Sequence, residues 1–407
     1  MSDLMSTNEI RSQFPALQRL HNGRNVAYFD APGGTQVPRG VAVAMTNYLL
    51  EHNANTHWGY PTSDETDAII AGSRLAAADF LNSSPQEIVF GANMTTLTFH
   101  LARTLGRTWS SGDEVLVTEL DHDANVAPWR ALERDRGVVL RMVPVNLETL
   151  QLDLDAMEKL VSPRTKLIAV CGASNAVGAM PDLIRVGAIA RAAGALLFVD
   201  AVHLAPHELV DVKRIECDFL ACSPYKFYGP HTGILYARDE LLQSLPFPKL
   251  APAPDNAPDR AETGTLNHEG IAGIGAAIEF LASLGGDRGS RRERLHRGYI
   301  EQHARGTNLL RILHEGLSAI KGVRIYGPAL EADRTPTLSF TLEGVAAEEI
   351  SRRLADQAIF ASHGNFYAST LIERLGVDGL LRVGCGCYTT EDEVRRLVEE
   401  VGRMAKR

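Results

Sequence analysis

The run "DFLACSPYKFYGPHTG", Asp218 to Gly233, ends a short apolar stretch at Ser223, sets Lys226 between Tyr225 and Phe227, and then breaks at Gly229-Pro230. Lysine is among the side chains least often buried, so a lysine flanked by aromatics at the end of an apolar run calls for a chemical reason. Working outward from it, short apolar runs alternate with helical patterns from residue 86 to 238. "EIVFG" leads into "MTTLTFHLARTL", "EVLVTE" into "NVAPWRALERDRG", and "TKLIAVCG" into "DLIRVGAIARAAG", with "ALLFVDAV" and "DFLACS" following. Runs this short, rich in Val, Ile, Leu and Phe and separated by amphipathic helices, predict an α/β domain whose mainly parallel central sheet carries helices on both faces.

Ligands of such sheets bind beyond the carboxyl ends of the strands. Read in turn, those ends deliver Asn93, Thr95 and Thr96; then Asp121 and His122; then Ser174 and Asn175; then Asp200 and His203; and finally Ser223 and Lys226. Five strand ends thus bring polar or ionisable groups to one edge.

A carboxylate at the end of a strand as apolar as "LLFV" is costly unless it meets a cation. Asp200 suits the protonated ring nitrogen of pyridoxal 5'-phosphate, with Lys226 carrying that cofactor as a Schiff base. An enclosed setting beside Tyr225 and Phe227 would favour the neutral, nucleophilic amine over the ammonium. "GANMTT" offers a phosphate site: a glycine turn, Asn93 as N-cap, and Thr95 and Thr96 in the first turn of a helix whose free N–H groups attract anions. Ser223 adds a hydroxyl, His122 can stack on the ring and move protons, and Asn175 and His203 can hydrogen-bond its hydroxyl. Each of these residues also has an ordinary structural role, and the candidacy rests on their joint arrival at one edge.

Composition excludes other classes. A 407-residue chain with 45% hydrophobic residues can bury a large core, and a net charge of −9 argues against a nucleic-acid partner. No apolar stretch approaches the ~20 residues that span a bilayer, so no membrane partner is expected. Five scattered cysteines suit a reducing compartment, and a cytoplasmic location is expected. No G-x-G-x-x-G follows the first strand, which sets aside a nicotinamide enzyme.

The strings "YFDAPGGTQVP", "ELDHDANVAPWR", "SNAVGAMPDL", "LLFVDAVH", "SPYKFYGPHTGILYAR", "AETGTLN" and "LRVGCGCYTTEDEV" together resemble the class V, fold-type I aminotransferase superfamily, most closely its cysteine desulfurase and selenocysteine lyase group. The resemblance implies a homodimer with shared active sites, in which Thr265 reaches the partner's cofactor phosphate. It implies that Lys226 is the cofactor lysine, that Asp200 pairs with the ring nitrogen and that His122 stacks. It gives Thr95, Thr96 and Ser223 to the phosphate, Asn175 and His203 to the ring hydroxyl, and Arg382 to the substrate carboxylate. The family commonly has Gln at His203 and His at Tyr225, the latter a cofactor-site position. An N-terminal arm over 1–25, a large cofactor domain over 26–270 and a smaller C-terminal α/β domain over 271–407 are expected.

The departure from the family lies at the sulfur-accepting loop. Desulfurases carry a nucleophilic cysteine before the carboxylate-binding arginine, whereas the corresponding "FASHGNFYASTLIERLG" has none and places Asn365, Phe366 and Tyr367 there. Trp58 stands where the family often has a basic residue. Trp58, Tyr60, His363, Asn365 and Tyr367 together predict a more aromatic and less charged substrate pocket. The expected activity is therefore Cβ elimination or Cα epimerisation of an α-amino acid through Lys226. Transamination, desulfuration with an unusual sulfur acceptor, and a non-catalytic scaffold stay open as alternatives.

Overall fold

A computed structural model describes residues 4–406, so the first three residues of the expected arm lie outside the described residues. Seven strands build the main sheet: β1 (Ile88–Gly91), β2 (Glu114–Thr118), β3 (Val139–Val143), β4 (Thr165–Cys171), β5 (Leu196–Asp200), β6 (Phe219–Cys222) and β7 (Gly233–Ala237). Their spatial order is β1-β7-β6-β5-β4-β2-β3. The strands from β2 to β6 pair in parallel, and β7 runs antiparallel to both its neighbours.

The reversal at β7 has a simple cause. Residues 223–232, which join β6 to β7, are fewer than the dozen or so a parallel crossover needs, so the chain must turn back at once. That tight return holds Lys226 at the carboxyl edge of the sheet.

Alternate residues of each central strand enter two different cores. Leu116, Ile168, Val170, Leu197, Val199 and Leu220 pack on one face. Val115, Val117, Leu167, Ala169, Phe198 and Phe219 pack on the other. Strands buried on both faces have no polar side to show, which is why they read as continuous apolar runs.

The helices that cover the sheet include α1 (Pro61–Leu81), α2 (Met94–Gly106), α3 (Ala127–Arg136), α4 (Leu183–Ala193), α5 (His268–Ser283) and the long α6 (Arg291–Ser318). Gly137 and Gly194 end α3 and α4 with φ of 68° and 67°, a left-handed cap that glycine adopts without a Cβ clash. The expected boundary at residue 270 falls in the first turn of α5. That helix buries Ile271, Ile274 and Ile278 in the same core as the sheet.

The tandem charges at the start of α6 dock the helix. Arg291 pairs with Asp79 and Glu279, Arg294 pairs with Glu279, and Arg292 donates to the Phe80 and Val210 carbonyls. Guanidinium groups can cap carbonyls and carboxylates while their stems cover apolar surface.

A second, antiparallel sheet follows, made of β8 (Val323–Tyr326), β9 (Thr337–Leu342), β10 (Ser362–Gly364) and β11 (Leu380–Gly384) in the order β8-β9-β11-β10. Leu338, Phe340, Leu381 and Val383 pack there against Leu313 of α6 and Leu397 of α8 (Glu391–Ala405), with α7 (Ala347–Asp356) contributing Ile350 and Leu354. The N-terminal segment packs inward and joins the parts. Phe14 meets Tyr228, Phe280 and Tyr388 edge-on, and Ala27–Tyr28 pairs with Ile359–Phe360. The proline-rich stretch 247–262 runs along the surface but buries Phe247, Ala257 and Ala261, and Glu262 ends it in a salt bridge to Arg74.

Candidate active site

The carboxyl edge of the main sheet opens into a cavity of about 580 Å³. Thr95, Thr96, His122, Asn175, Asp200, His203, Ser223, Tyr225 and Lys226 all line it. A second cavity of about 720 Å³ adjoins it and shares Thr95, His122, Asn175, Tyr225 and Lys226. Its far wall comes from Pro32, Gly33, Phe99, Arg382 and the loop His363–Tyr367.

Lys226 is 9% exposed, and its Nζ donates to the Pro32 carbonyl and lies 5.0 Å from the Tyr225 ring centroid. Burial, helped by the Arg382 charge, pulls the amine down to about 7, while Asp200 and Asp30 oppose the shift. A large fraction of this lysine is therefore an uncharged nucleophile at neutral pH.

Asp200 is buried at the end of β5 and accepts a 2.9 Å hydrogen bond at Oδ1 from Val202 N–H. Burial pushes its carboxyl up to about 6. Behind it Asp121, also buried, is pushed up to about 7 although Thr118 and Asn125 donate to it. Two acids in one low-dielectric layer resist ionising together unless a cation joins them.

His122 caps the turn that follows β2: its Nδ1 accepts from Ala124 N–H at 2.9 Å, which leaves the ring proton on Nε2. Burial and the charges of Lys226 and Arg382 pull it down to about 4, so the imidazole is neutral. Its ring stacks on Tyr367 with centroids 5.4 Å apart.

At the N-terminus of α2, Asn93 and Thr96 form a reciprocal cap, and Ser223 Oγ accepts from Met94 N–H at 3.0 Å. Gly233 lets β7 approach this turn, because a Cβ there would sit 2.5 Å from the Asn93 carbonyl carbon. The first turn of α2 and Thr95 border the cavity.

Pyridoxal 5'-phosphate fits what these residues lack. Asn175 Oδ1 and His203 Nδ1 are buried without a hydrogen-bond partner, although the other end of each side chain is held: Asn175 Nδ2 donates to Phe366 O, and His203 Nε2 meets Thr337 Oγ1 at 2.9 Å. Orphaned polar atoms facing a roomy cavity, beside a buried acid with no cation and a neutral lysine, match a ring that brings a hydroxyl, a cationic nitrogen and an aldehyde. The helix terminus offers the place for its phosphate.

Arg382, on β11, lies 4.1 Å from the Phe366 ring centroid and donates to Asn175 O and Ser362 Oγ. Its Nε is unpartnered, and burial pulls the guanidinium down to about 9. It borders the second cavity, which also admits Asn365. Trp58 and Thr265 lie elsewhere in the chain. Trp58 is 61% exposed and lines neither cavity, and Thr265 lines a separate groove with His100 and Arg103.

Several residues join the site that sequence reasoning left out. Asp30, whose Oδ1 is orphaned, and His231, which stacks flat on Tyr225 at 4.9 Å, are the clearest. Asp30 sits in the quoted "YFDAPGG", but its place beside Arg382 depends on the pairing of two distant segments.

None of the five cysteines lines the second cavity. Cys171 borders the first, and its thiol is pushed well above its ordinary value by burial and the nearby acids. Cys385 and Cys387 are buried and pushed up to about 12. The loop position is taken by Phe366 and Tyr367, both left-handed with φ of 54° and 56°. That costly backbone is pinned by Asn175 to Phe366 O, by Asp123 N–H to Tyr367 O at 2.7 Å, and by Tyr367 N–H to Asn365 Oδ1.

The comparisons agree with this geometry. The class-V aminotransferase model matches residues 27–397. A cysteine desulfurase of Cronobacter sakazakii is 34% identical over 416 residues, with 98% of each chain covered. One of Pectobacterium carotovorum is 31% identical over 97% of each chain. Among solved structures, a cysteine desulfurase of Thermococcus onnurineus in its apo form superposes with a TM-score of 0.89 at 28% identity over the whole of both chains. One of Escherichia coli superposes at 0.86 and 28% identity over 99% of each. Strand ends, buried lysine and relatives converge: the chain belongs to the class-V aminotransferase family, as a pyridoxal-phosphate-dependent, cysteine desulfurase-like enzyme that acts on an amino acid.

Proposed function

We propose that this enzyme removes the Cα proton of an α-amino acid and then either expels a Cβ substituent or returns the proton to the opposite face, without forming a persulfide. The observation that carries the reading is the substrate-side cavity, which Arg382 and the loop His363–Tyr367 wall and no cysteine lines. When bound, the cofactor supplies an electron sink for the carbanion at Cα. Arg382 holds the substrate carboxylate with a planar, bidentate group. Lys226 would hold the cofactor, and its amine, whose proton affinity burial lowers, would take and return the Cα proton near pH 7. Asp200 would supply the negative charge that favours a protonated ring nitrogen. Neutral His122, held by Ala124 N–H, offers a flat stacking surface and an Nε2 proton. Phe99, Phe366 and Tyr367 give the cavity an aromatic wall, in keeping with a substrate larger than cysteine.

The assembly belongs to the same proposal: a homodimer in which Thr265 reaches the partner's cofactor and Trp58 the partner's substrate cavity. Val43, Leu49, Leu50 and Trp58 are exposed apolar residues within 16 positions of one another in the chain, which a second copy would cover. We take the large domain as 26–270 and the small one as 271–407. We place the enzyme in the cytoplasm, in keeping with five unpaired cysteines. Among the described residues no helix is long and apolar enough to cross a membrane.

The test is a panel of α-amino acids presented to the cofactor-loaded enzyme in heavy water. Exchange of the Cα proton, with a keto acid and ammonium or the opposite enantiomer as product, is expected. Release of alanine and sulfur from cysteine at an enzymatic rate would overturn the reading.

A further inference from the structure

Another cavity, of about 300 Å³ and separate from the lysine site, is walled by α6, the segment before β9 and the turn after β11. Arg305 enters it from α6 and Arg334 from the segment before β9, and neither guanidinium has a carboxylate partner within salt-bridge distance among the described residues. Arg334 is 7% exposed. It gives its Nη groups to the Pro328 and Thr337 carbonyls and leaves Nε buried and unpartnered. Arg305 gives Nη2 to Cys387 O at 3.1 Å and leaves Nη1 buried and unpartnered. Carbonyls satisfy donors but do not neutralise charge, and a buried guanidinium without a counterion is costly.

The remaining lining does not supply the missing charge. Glu208 is engaged by His303, and Glu331 and Asp333 are exposed at the rim. His207 is buried and pulled down to about 3, so it is neutral and adds no competing cation. Gln302 and Thr307 offer neutral polar groups.

We propose that a compact dianion, a phosphate group or a small dicarboxylate, binds between Arg305 and Arg334. The ligand neutralises both guanidinium groups, which the surrounding carbonyls do not. Because Arg305 sits on α6 and Arg334 is tied through an isolated bridge to Ala179 of the large domain, the bound anion joins the two halves of the molecule. The site also lies next to the cofactor cavity: Thr337, whose carbonyl accepts from Arg334, meets His203 through its hydroxyl.

The cofactor-loaded enzyme is titrated calorimetrically with inorganic phosphate and, separately, with malonate, chloride holding the ionic strength constant. Loading fills the cofactor's own phosphate site. Saturable binding of at least one anion at one site per chain is expected, weakened at least about tenfold in Arg305→Gln and less in Arg305→Lys. Tighter phosphate assigns a phosphate ligand, and tighter malonate a dicarboxylate. Arg334→Gln should behave like Arg305→Gln where it folds, and Arg305→Gln alone decides where it does not. Absence of saturable binding for both anions overturns the proposal. So does binding unchanged in Arg305→Gln, or binding abolished by Arg382→Lys alone, which would place the anion in the substrate cavity.

Discussion

The two adjoining cavities of the candidate active site are built on opposite principles. The floor, with Lys226, Asp200, His122 and Asn175, is delivered by strand ends of one sheet. Its spacing follows from the fixed distance between paired strands. The wall facing it draws on Pro32 and Gly33, on Phe99 of α2, on the left-handed loop at Phe366 and Tyr367, and on Arg382 of the second sheet. The floor is rigid and suits chemistry common to a family, whereas the wall is assembled from separate segments and can change its substrate without disturbing the fold.

The largest expected effect tests the floor. Lys226→Ala should lower Cα proton exchange by about 10³-fold or more, since it removes both the cofactor attachment and the base. The absorption band of lysine-bound cofactor should vanish with it, and its persistence would break the assignment. Asp200→Asn should cost about 10²-fold in turnover, the equivalent of the ~3 kcal/mol lost when a buried ion pair loses one partner. Rapid-mixing kinetics with cofactor occupancy checked by absorbance would measure it.

The wall should respond differently. Arg382→Lys should raise KM by about tenfold with a smaller change in kcat, because the ammonium cannot make the two-pronged contact to a carboxylate. An equal fall in kcat would move Arg382 from the wall to the floor. A pH effect separates them further. Capture of free cofactor by the apo-enzyme needs the neutral amine of Lys226, which burial holds at about 7. Its rate should rise through that pH and level off above it, and a rise delayed to the ordinary lysine range near ~10.4 would mean that the amine is not buried. The smallest effect is expected at the loop. Phe366→Gly relieves a left-handed backbone worth ~1 kcal/mol but removes the ring beneath Arg382, so the thermal midpoint should move little while KM rises.

Much of the floor is legible in the chain. "LLFVDAVH" announces a buried strand whose last residue is an acid, and "SPYKFYGPHTG" announces a lysine held in a tight return. Strand periodicity carries both signals locally. The wall was less readable. Asp30 and His231 both stand in strings that the sequence marks, yet their roles depend on contacts the chain does not display: Asp30 comes within reach of the Arg382 charge, and His231 stacks on Tyr225. The docking role of the basic start of α6 is not legible in the chain, because a guanidinium that caps buried carbonyls has the same sequence signature as one in solvent.

The sequence by itself determined the layered α/β architecture, the lysine with its acid partner and the absence of a cysteine from the loop before Arg382. These are matters of periodicity and residue type, which a linear chain displays. Only the tertiary structure decided that Phe366 and Arg382 share a wall with Asp30 near enough to act on the Arg382 charge, that all five thiols are buried away from it, and that Arg305 and Arg334 line one cavity without a counterion. Those facts depend on contacts between residues far apart in the chain, where burial rather than identity determines charge and reactivity.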